Sequence, residues 1–179
     1  FIASLGASHF PKCVAPRDAM NTALLILDAQ NDFFTAENPN LAAFEAAAPV
    51  INAAIAHFRA AGGGPIFVQH TAERKPAGSQ PWAINDSFDC RPIDVRFNKT
   101  TENAFWNTGL DALLRSQRVG RVIVAGFVSE RDVLSTLRGA AERGYEAAVL
   151  EGGIAGYDDR YTQFTLEISP RLSLEALRQ

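Results

Sequence analysis

The sequence predicts one α/β domain, a three-layer, Rossmann-like fold with a parallel β-sheet and helices on both faces. Three observations carry this expectation. Short, continuous apolar runs recur along the chain, as strands buried on both faces require. Between them lie segments whose apolar residues repeat at steps of three and four, the mark of a helix with one buried stripe. The two kinds of segment alternate, and helices of this length between strands imply parallel crossovers. A chain of 179 residues with 47% hydrophobic and 21% charged residues has room for one well-packed core.

The opening 19 residues mix apolar, proline and basic residues without a clear period. They are expected to be an N-terminal extension, vector-derived or loosely packed, with Met20 as a natural start and residues 20–179 as the domain. From there the elements follow in order. Residues 23–27 form a first strand. Leu41, Phe44, Ala48, Ile51, Ile55 and Phe58 mark one face of a long helix, which Gly62-Gly63-Gly64 ends. Residues 65–68 open a second strand. Residues 71–99, rich in Pro, Gly, Ser and Asp, read as a long irregular connection, which is uncommon without a function. A helix is expected over 102–116, with Phe105, Leu110, Leu113 and Leu114 inward. A third strand is expected over 121–125, a third helix over 130–143 and a fourth strand over 146–150.

The net charge of −3, with Lys and Arg scattered, argues against a nucleic-acid partner. Apolar stretches are interrupted short of a bilayer's width, so no membrane span is expected. Two cysteines, Cys13 and Cys90, make neither a disulfide framework nor a zinc cluster, and point to a reducing cytoplasmic setting.

In a parallel sheet, ligands sit beyond the carboxyl ends of the strands. Asp28 directly follows the first strand, and a carboxylate there is expensive to bury without a partner; tying down its own turn is the plainer reading. Lys99 precedes an expected helix whose cap is Thr101, where a solvated lysine is the ordinary case. Gly126-Phe127-Val128-Ser129-Glu130-Arg131-Asp132 joins a strand to a helix. Ser129-Glu130-Arg131-Asp132 also fits a capping box, with Ser129 as cap and Asp132 at the third helical position. Substrate binding and water activation are the other readings of Asp132.

Taken together, these segments resemble the isochorismatase-like superfamily, the cysteine hydrolases. Leu24-Leu25-Ile26-Leu27-Asp28-Ala29-Gln30 is similar to that family's opening strand and D-x-Q motif. Asn98-Lys99-Thr100-Thr101-Glu102 with the following helix is similar to its lysine motif, and Val122-Ile123-Val124-Ala125-Gly126 onward to the segment that presents its nucleophile. The resemblance implies a small-molecule hydrolase and assembly as a homodimer or homotetramer. It also implies a catalytic set of Asp28, Lys99 and a thiol, with a cis peptide at Phe127-Val128 turning backbone N–H groups toward the substrate oxygen.

The place of the nucleophilic Cys falls on Asp132. Two kinds of function stay open. One is a hydrolase that forms no covalent intermediate. In it Asp28 acts as general acid while Lys99 holds a substrate carboxylate, or Asp28 and Asp132 work as an acid–base pair around Lys99. The other is a silent or inactivated cysteine hydrolase that only binds a small ligand or partner. Gln30, Phe34, His70 and Trp82 are candidate substrate contacts; Phe34, Trp82 and Phe127 would form an apolar wall. Arg91 and Arg96 are candidates for a substrate carboxylate, and Glu151 for the acidic residue that follows the family's fourth strand. The family's nicotinamidase branch carries an Asp-x-His plus His cluster, and here only His70 stands near that place. No metal and no cofactor are expected.

Overall fold

Two strands that are distant in sequence lie side by side at the centre of the sheet. β1 (Asn21–Leu27) pairs on one side with β2 (Pro65–His70) and on the other with β4 (Val119–Phe127). β3 (Val95–Lys99) flanks β2, and β5 (Glu146–Ala155) followed by β6 (Arg171–Leu172) flanks β4. The order β3-β2-β1-β4-β5-β6 is parallel throughout. It reverses direction between β1 and β4, the crevice where ligands bind in open α/β sheets. A computed structural model describes residues 21–178; the expected N-terminal extension and the Met20 start lie outside the described residues.

The apolar run of β1 is buried on both faces, with Leu24, Leu25, Ile26 and Leu27 all at 0% exposure. Alternate residues feed two cores. Leu24 and Ile26 pack with Phe44, Ile51 and Ile55 of α1 (Leu41–Ala60) on one face. Leu25 and Leu27 pack with Leu110 and Leu114 of α2 (Leu110–Ser116) and Leu137 of α3 (Leu134–Glu142) on the other. Each such aliphatic side chain contributes about 1.5–3 kcal/mol on burial. The glycine run ends α1 as expected: Gly62, at φ +81°, donates to Arg59 O, and Gly63 donates to Phe58 O, the paired bonds of a Schellman stop.

The structure departs from the elements expected from sequence in several places. Its irregular connection ends in β3, an edge strand whose charged and exposed residues gave no apolar signal. The helix expected over 102–116 is helical only from Leu110, and turns occupy residues 101–109. The third expected helix opens with a π-turn, Ser129–Val133, before α3. β5 runs on through Gly152-Gly153 to Ala155, with a register shift against β4 between Val124 and Gly126. α4 (Asp159–Ile168), β6 and α5 (Leu174–Leu177) complete the chain. By length and composition α1 is apolar enough to cross a membrane, which the sequence reading excluded. Here its apolar stripe is buried against the sheet instead.

Candidate active site

β1 carries Asp28 to the carboxyl end of the central strand, where its N–H still donates to Val68 O at 2.8 Å. The backbone then turns sharply, with Asp28 at φ +51°. That conformation is tolerated by Asp more readily than by most residues. β3 carries Lys99 to the same end at the sheet edge, in register with His70 of β2. β4 delivers Asp132 through Gly126, the Phe127–Val128 peptide, which is cis, and the π-turn. Gly126 has φ +106°, and a Cβ there would lie 2.0 Å from Leu27 O. The glycine is therefore required where β4 approaches β1 at the crevice.

The three side chains meet. Lys99 Nζ donates to Asp28 Oδ2 at 2.8 Å and to Asp132 Oδ1 at 2.5 Å, and lies 3.1 Å from His70 Nδ1. The ammonium thus donates to both carboxyls, and its contact with His70 takes its direction from the imidazole's tautomer. The Lys99 side chain is fully buried.

The two carboxyls are displaced in opposite directions. Burial pushes Asp28 up to about 7; Lys99 opposes this, and the Asp132 charge reinforces it. Asp28 Oδ1 is buried and has no partner among the described residues. For Asp132 burial also acts upward, but His70 and Lys99 outweigh it, and its carboxyl lies below the ordinary carboxylate range. One site thus holds a carboxylic acid that titrates near neutrality beside a carboxylate that stays ionised. Donor atoms of Asp28, His70 and Asp132 lie within 4.8 Å of one another. Lys99 Nζ lies 2.8, 3.1 and 2.5 Å from Asp28 Oδ2, His70 Nδ1 and Asp132 Oδ1.

The capping-box reading of Ser129 and Asp132 is corrected. Ser129 makes no side-chain cap; its hydroxyl bonds to Glu130 Oε2 and Thr162 Oγ1, and Asp132 faces Lys99. Gln30 is fully buried and its amide is spent on structure. Nε2 donates to His70 O and Trp82 O, while Oε1 accepts from His70 N and Lys75 Nζ. That leaves no free group for a substrate. Phe127 is corrected from pocket wall to core, its ring stacked on Phe44 at 4.5 Å. Phe34 is half-buried against Phe44, Phe88 and Phe127. Trp82 is half-buried, with its indole N–H on Thr71 Oγ1.

Arg91 lines a cavity of about 990 Å³ at the amino ends of the strands, far from Asp28, and Arg96 donates to Arg91 O. Glu151 pairs with Arg171 within the run of β5. Neither expectation for a substrate-binding arginine nor that for Glu151 is met at the carboxyl end. Three groups escaped the sequence reading. Lys75 is buried against Asp32, and Tyr157 stands near Asp32, Asp132 and Glu130, with burial and these carboxylates raising its phenol. A lysine in an irregular connection gives no sequence signal of burial; Asp32 did lie within reach, four residues after Asp28.

A doubly wound sheet in which two buried carboxyls and an ammonium meet at the switch point is an open α/β scaffold with this cluster where such sheets bind ligands. Residues 22–169 match the isochorismatase domain family, and the chain belongs to it. It is 33% identical over 143 residues to an uncharacterised isochorismatase family protein of Bacillus subtilis, covering 76% of this chain and 78% of the relative. It is 28% identical over 171 residues to a ureidoacrylate amidohydrolase of Methylorubrum extorquens, covering 74% and 69%. Its fold also matches an isochorismatase family protein from Desulfovibrio vulgaris, with TM-score 0.80, 22% identity and coverage of 87% and 95%.

Proposed function

We propose that this isochorismatase-family hydrolase cleaves a small substrate without a covalent intermediate, with Asp28 as the general acid and Asp132 as the carboxylate that receives water's proton. The observation that supports this most is the opposite displacement of the two carboxyls around one buried ammonium. A general acid works best when its pKa lies near the working pH, and Asp28 meets that condition. Asp132 is a weak base, which favours an acid-first order. Proton delivery from Asp28 to the carbon of an enol ether makes an oxocarbenium centre beside the Asp132 anion. Water then attacks that centre. The attacking oxygen becomes strongly acidic as its bond forms, so even a weakly basic carboxylate takes its proton. The hemiketal collapses to a ketone and an alcohol, and the proton on Asp132 returns to Asp28. The sum is one water consumed per bond broken.

Attack on an amide lacks that prior activation and needs a stronger nucleophile than water beside a depressed carboxylate. Enol ethers such as isochorismate are therefore the substrate class this reading favours. The test is a panel of enol ethers, carbamoyl compounds and amides, with initial rates measured across pH. Turnover of enol ethers is expected, falling on the alkaline side of about pH 7. Replacing Asp28 with Asn should remove at least about 10²-fold of the rate. Enol-ether turnover unchanged by Asp28→Asn would sink the reading, as would an intact binding site with no turnover of any class.

A further inference from the structure

α4 presents to solvent the kind of face that a surface helix ordinarily buries. Turned inward are Thr162, Thr165, Leu166 and the C-cap Ser169, of which only Leu166 joins an apolar core. Thr162 Oγ1 accepts from Gly156 N at 2.9 Å and lies 3.2 Å from Ser129 Oγ. The buried hydroxyls of Thr165 and Ser169 have no partner among the described residues. The large apolar side chains stand outside instead. Tyr161, Phe164 and Ile168 are 49%, 52% and 45% exposed, and Tyr157, just before the N-cap Asp158, is 42% exposed. Apolar residues recurring at steps of three and four are the stripe by which one helix packs on another element, and a contiguous exposed patch of them marks an interaction site.

We propose that the outer face of α4 docks on the same face of a second copy of this chain, antiparallel across a two-fold axis. The spacing of Tyr157, Tyr161, Phe164 and Ile168 reads the same in either direction. An axis between residues 162 and 163 therefore sets Tyr161 against Phe164 and Tyr157 toward Ile168. The charges agree with this pairing. Arg160 and Glu167 are seven residues apart, two turns of helix, so both edge the stripe on one flank. A two-fold contact of antiparallel helices brings that flank onto its own copy. Arg160 then stands opposite Glu167 of the second copy, about 3 Å away along the helix axis. The Arg160 guanidinium already holds Asp158, and its five donors leave room for a second carboxylate. Three aromatics and an isoleucine, each about half exposed, bury on the order of 800 Å² when two copies meet. With the flanking charged residues this reaches the low end of specific interfaces, which fits a dimer of micromolar Kd. At its Tyr157 end the stripe rests on Phe33, in the turn after Asp28, so the contact adjoins the candidate site.

The experiment is sedimentation velocity on the full chain over a concentration series, with circular dichroism to confirm that each variant is folded. A dimer is expected for the unsubstituted protein. Phe164→Glu should weaken it by at least about 10²-fold, because the axis counts the change twice. Arg160→Glu and Glu167→Arg should each weaken it about fivefold, and the two together should restore it. Both reversals suit the helix dipole, so a loss of association would not come from a melted α4. Ile93→Glu is the control: Ile93 is 87% exposed just before β3, at the far edge of the sheet, and its loss should leave association unchanged. A full chain that stays monomeric overturns the proposal, whatever else covers the stripe. So does a dimer that survives Phe164→Glu, or one in which the double charge reversal does not repair the single ones.

Discussion

The Lys99 ammonium reaches Asp28 at 2.8 Å although the strands that present them, β3 and β1, are separated by β2. The lysine side chain passes alongside His70, its register neighbour, and ends between two carboxylates. The edge strand β3 thus supplies the positive charge that lets two acids share a buried site at the centre of the sheet.

Removal of that charge is the first prediction. Lys99→Met leaves Asp28 and Asp132 buried together with no cation between them. Breaking a buried pair by deleting one partner costs about 3–5 kcal/mol. The urea midpoint of Lys99→Met should fall accordingly, and Asp28 should titrate higher than in the unsubstituted protein. A midpoint within experimental error of the original would mean that Lys99 does not neutralise the site.

The raised Asp28 carboxyl makes a prediction about stability and pH. Its folded value is about 7, against an ordinary value of 3.8. Between those two values the folded state binds the proton more tightly than the unfolded chain. Stability therefore decreases as pH rises through the window, by roughly 1 kcal/mol per pH unit. Asp28→Asn cannot titrate, so unfolding free energies of the two proteins should converge or cross as pH rises from about 4 to 7. Asp132 acts with the opposite sign. Its depressed carboxyl adds stability above the ordinary carboxylate range, and that stability is lost as pH falls through its lower folded value. A flat difference between the two proteins across the window would contradict the raised value.

Gly126 offers a test of the scaffold. Its φ is positive, and a Cβ at this position would come within 2.0 Å of Leu27 O, which leaves no room for alanine. Gly126→Ala should cost more than about 2 kcal/mol and reduce activity by spreading β1 from β4. Gly62→Ala, also at positive φ but with nothing within 4 Å, isolates the backbone cost and should lose about 1 kcal/mol. Equal losses at the two positions would show that the close approach to Leu27 is not what requires glycine at 126.

The central strands were legible because burial on both faces writes itself as unbroken apolar runs, as in Leu24-Leu25-Ile26-Leu27. β3 was illegible for the converse reason: Val95 and Arg96 are exposed, and only Lys99 at its end is buried. The positions that converge at the switch point could be ordered along the chain, but their division of labour could not. Nothing local distinguishes Gln30, whose buried amide clamps His70, from a residue that faces substrate. Nothing marks Lys75 as buried, because its acceptors come from segments more than 40 positions away. The expected Ser129 cap failed because the turn opens as a π-turn, and the Ser129 hydroxyl finds Glu130 and Thr162 instead.

Asp132 provides the last prediction. A cysteine placed there would put its sulfur beside an ammonium that now lies 2.5 Å from Asp132 Oδ1, at the start of the helical segment that continues into α3. Both the charge and the free N–H groups of a helix start favour a thiolate. Cys13 and Cys90 are the two cysteines of the chain, so the introduced thiol can be followed alone in Cys13→Ser, Cys90→Ser, Asp132→Cys protein. The rate of iodoacetamide alkylation against pH should give a midpoint well below the ~8.5 of a free cysteine. Amide turnover should appear with it, since a thiolate supplies the nucleophile that water beside Asp132 lacks. Enol-ether turnover should fall at the same time, because the anion that stabilises the cationic centre and takes water's proton is gone. A midpoint at or above the free value would show that Lys99 and the helix start do not activate this position, and with it would fall the account of why Asp132 stays ionised.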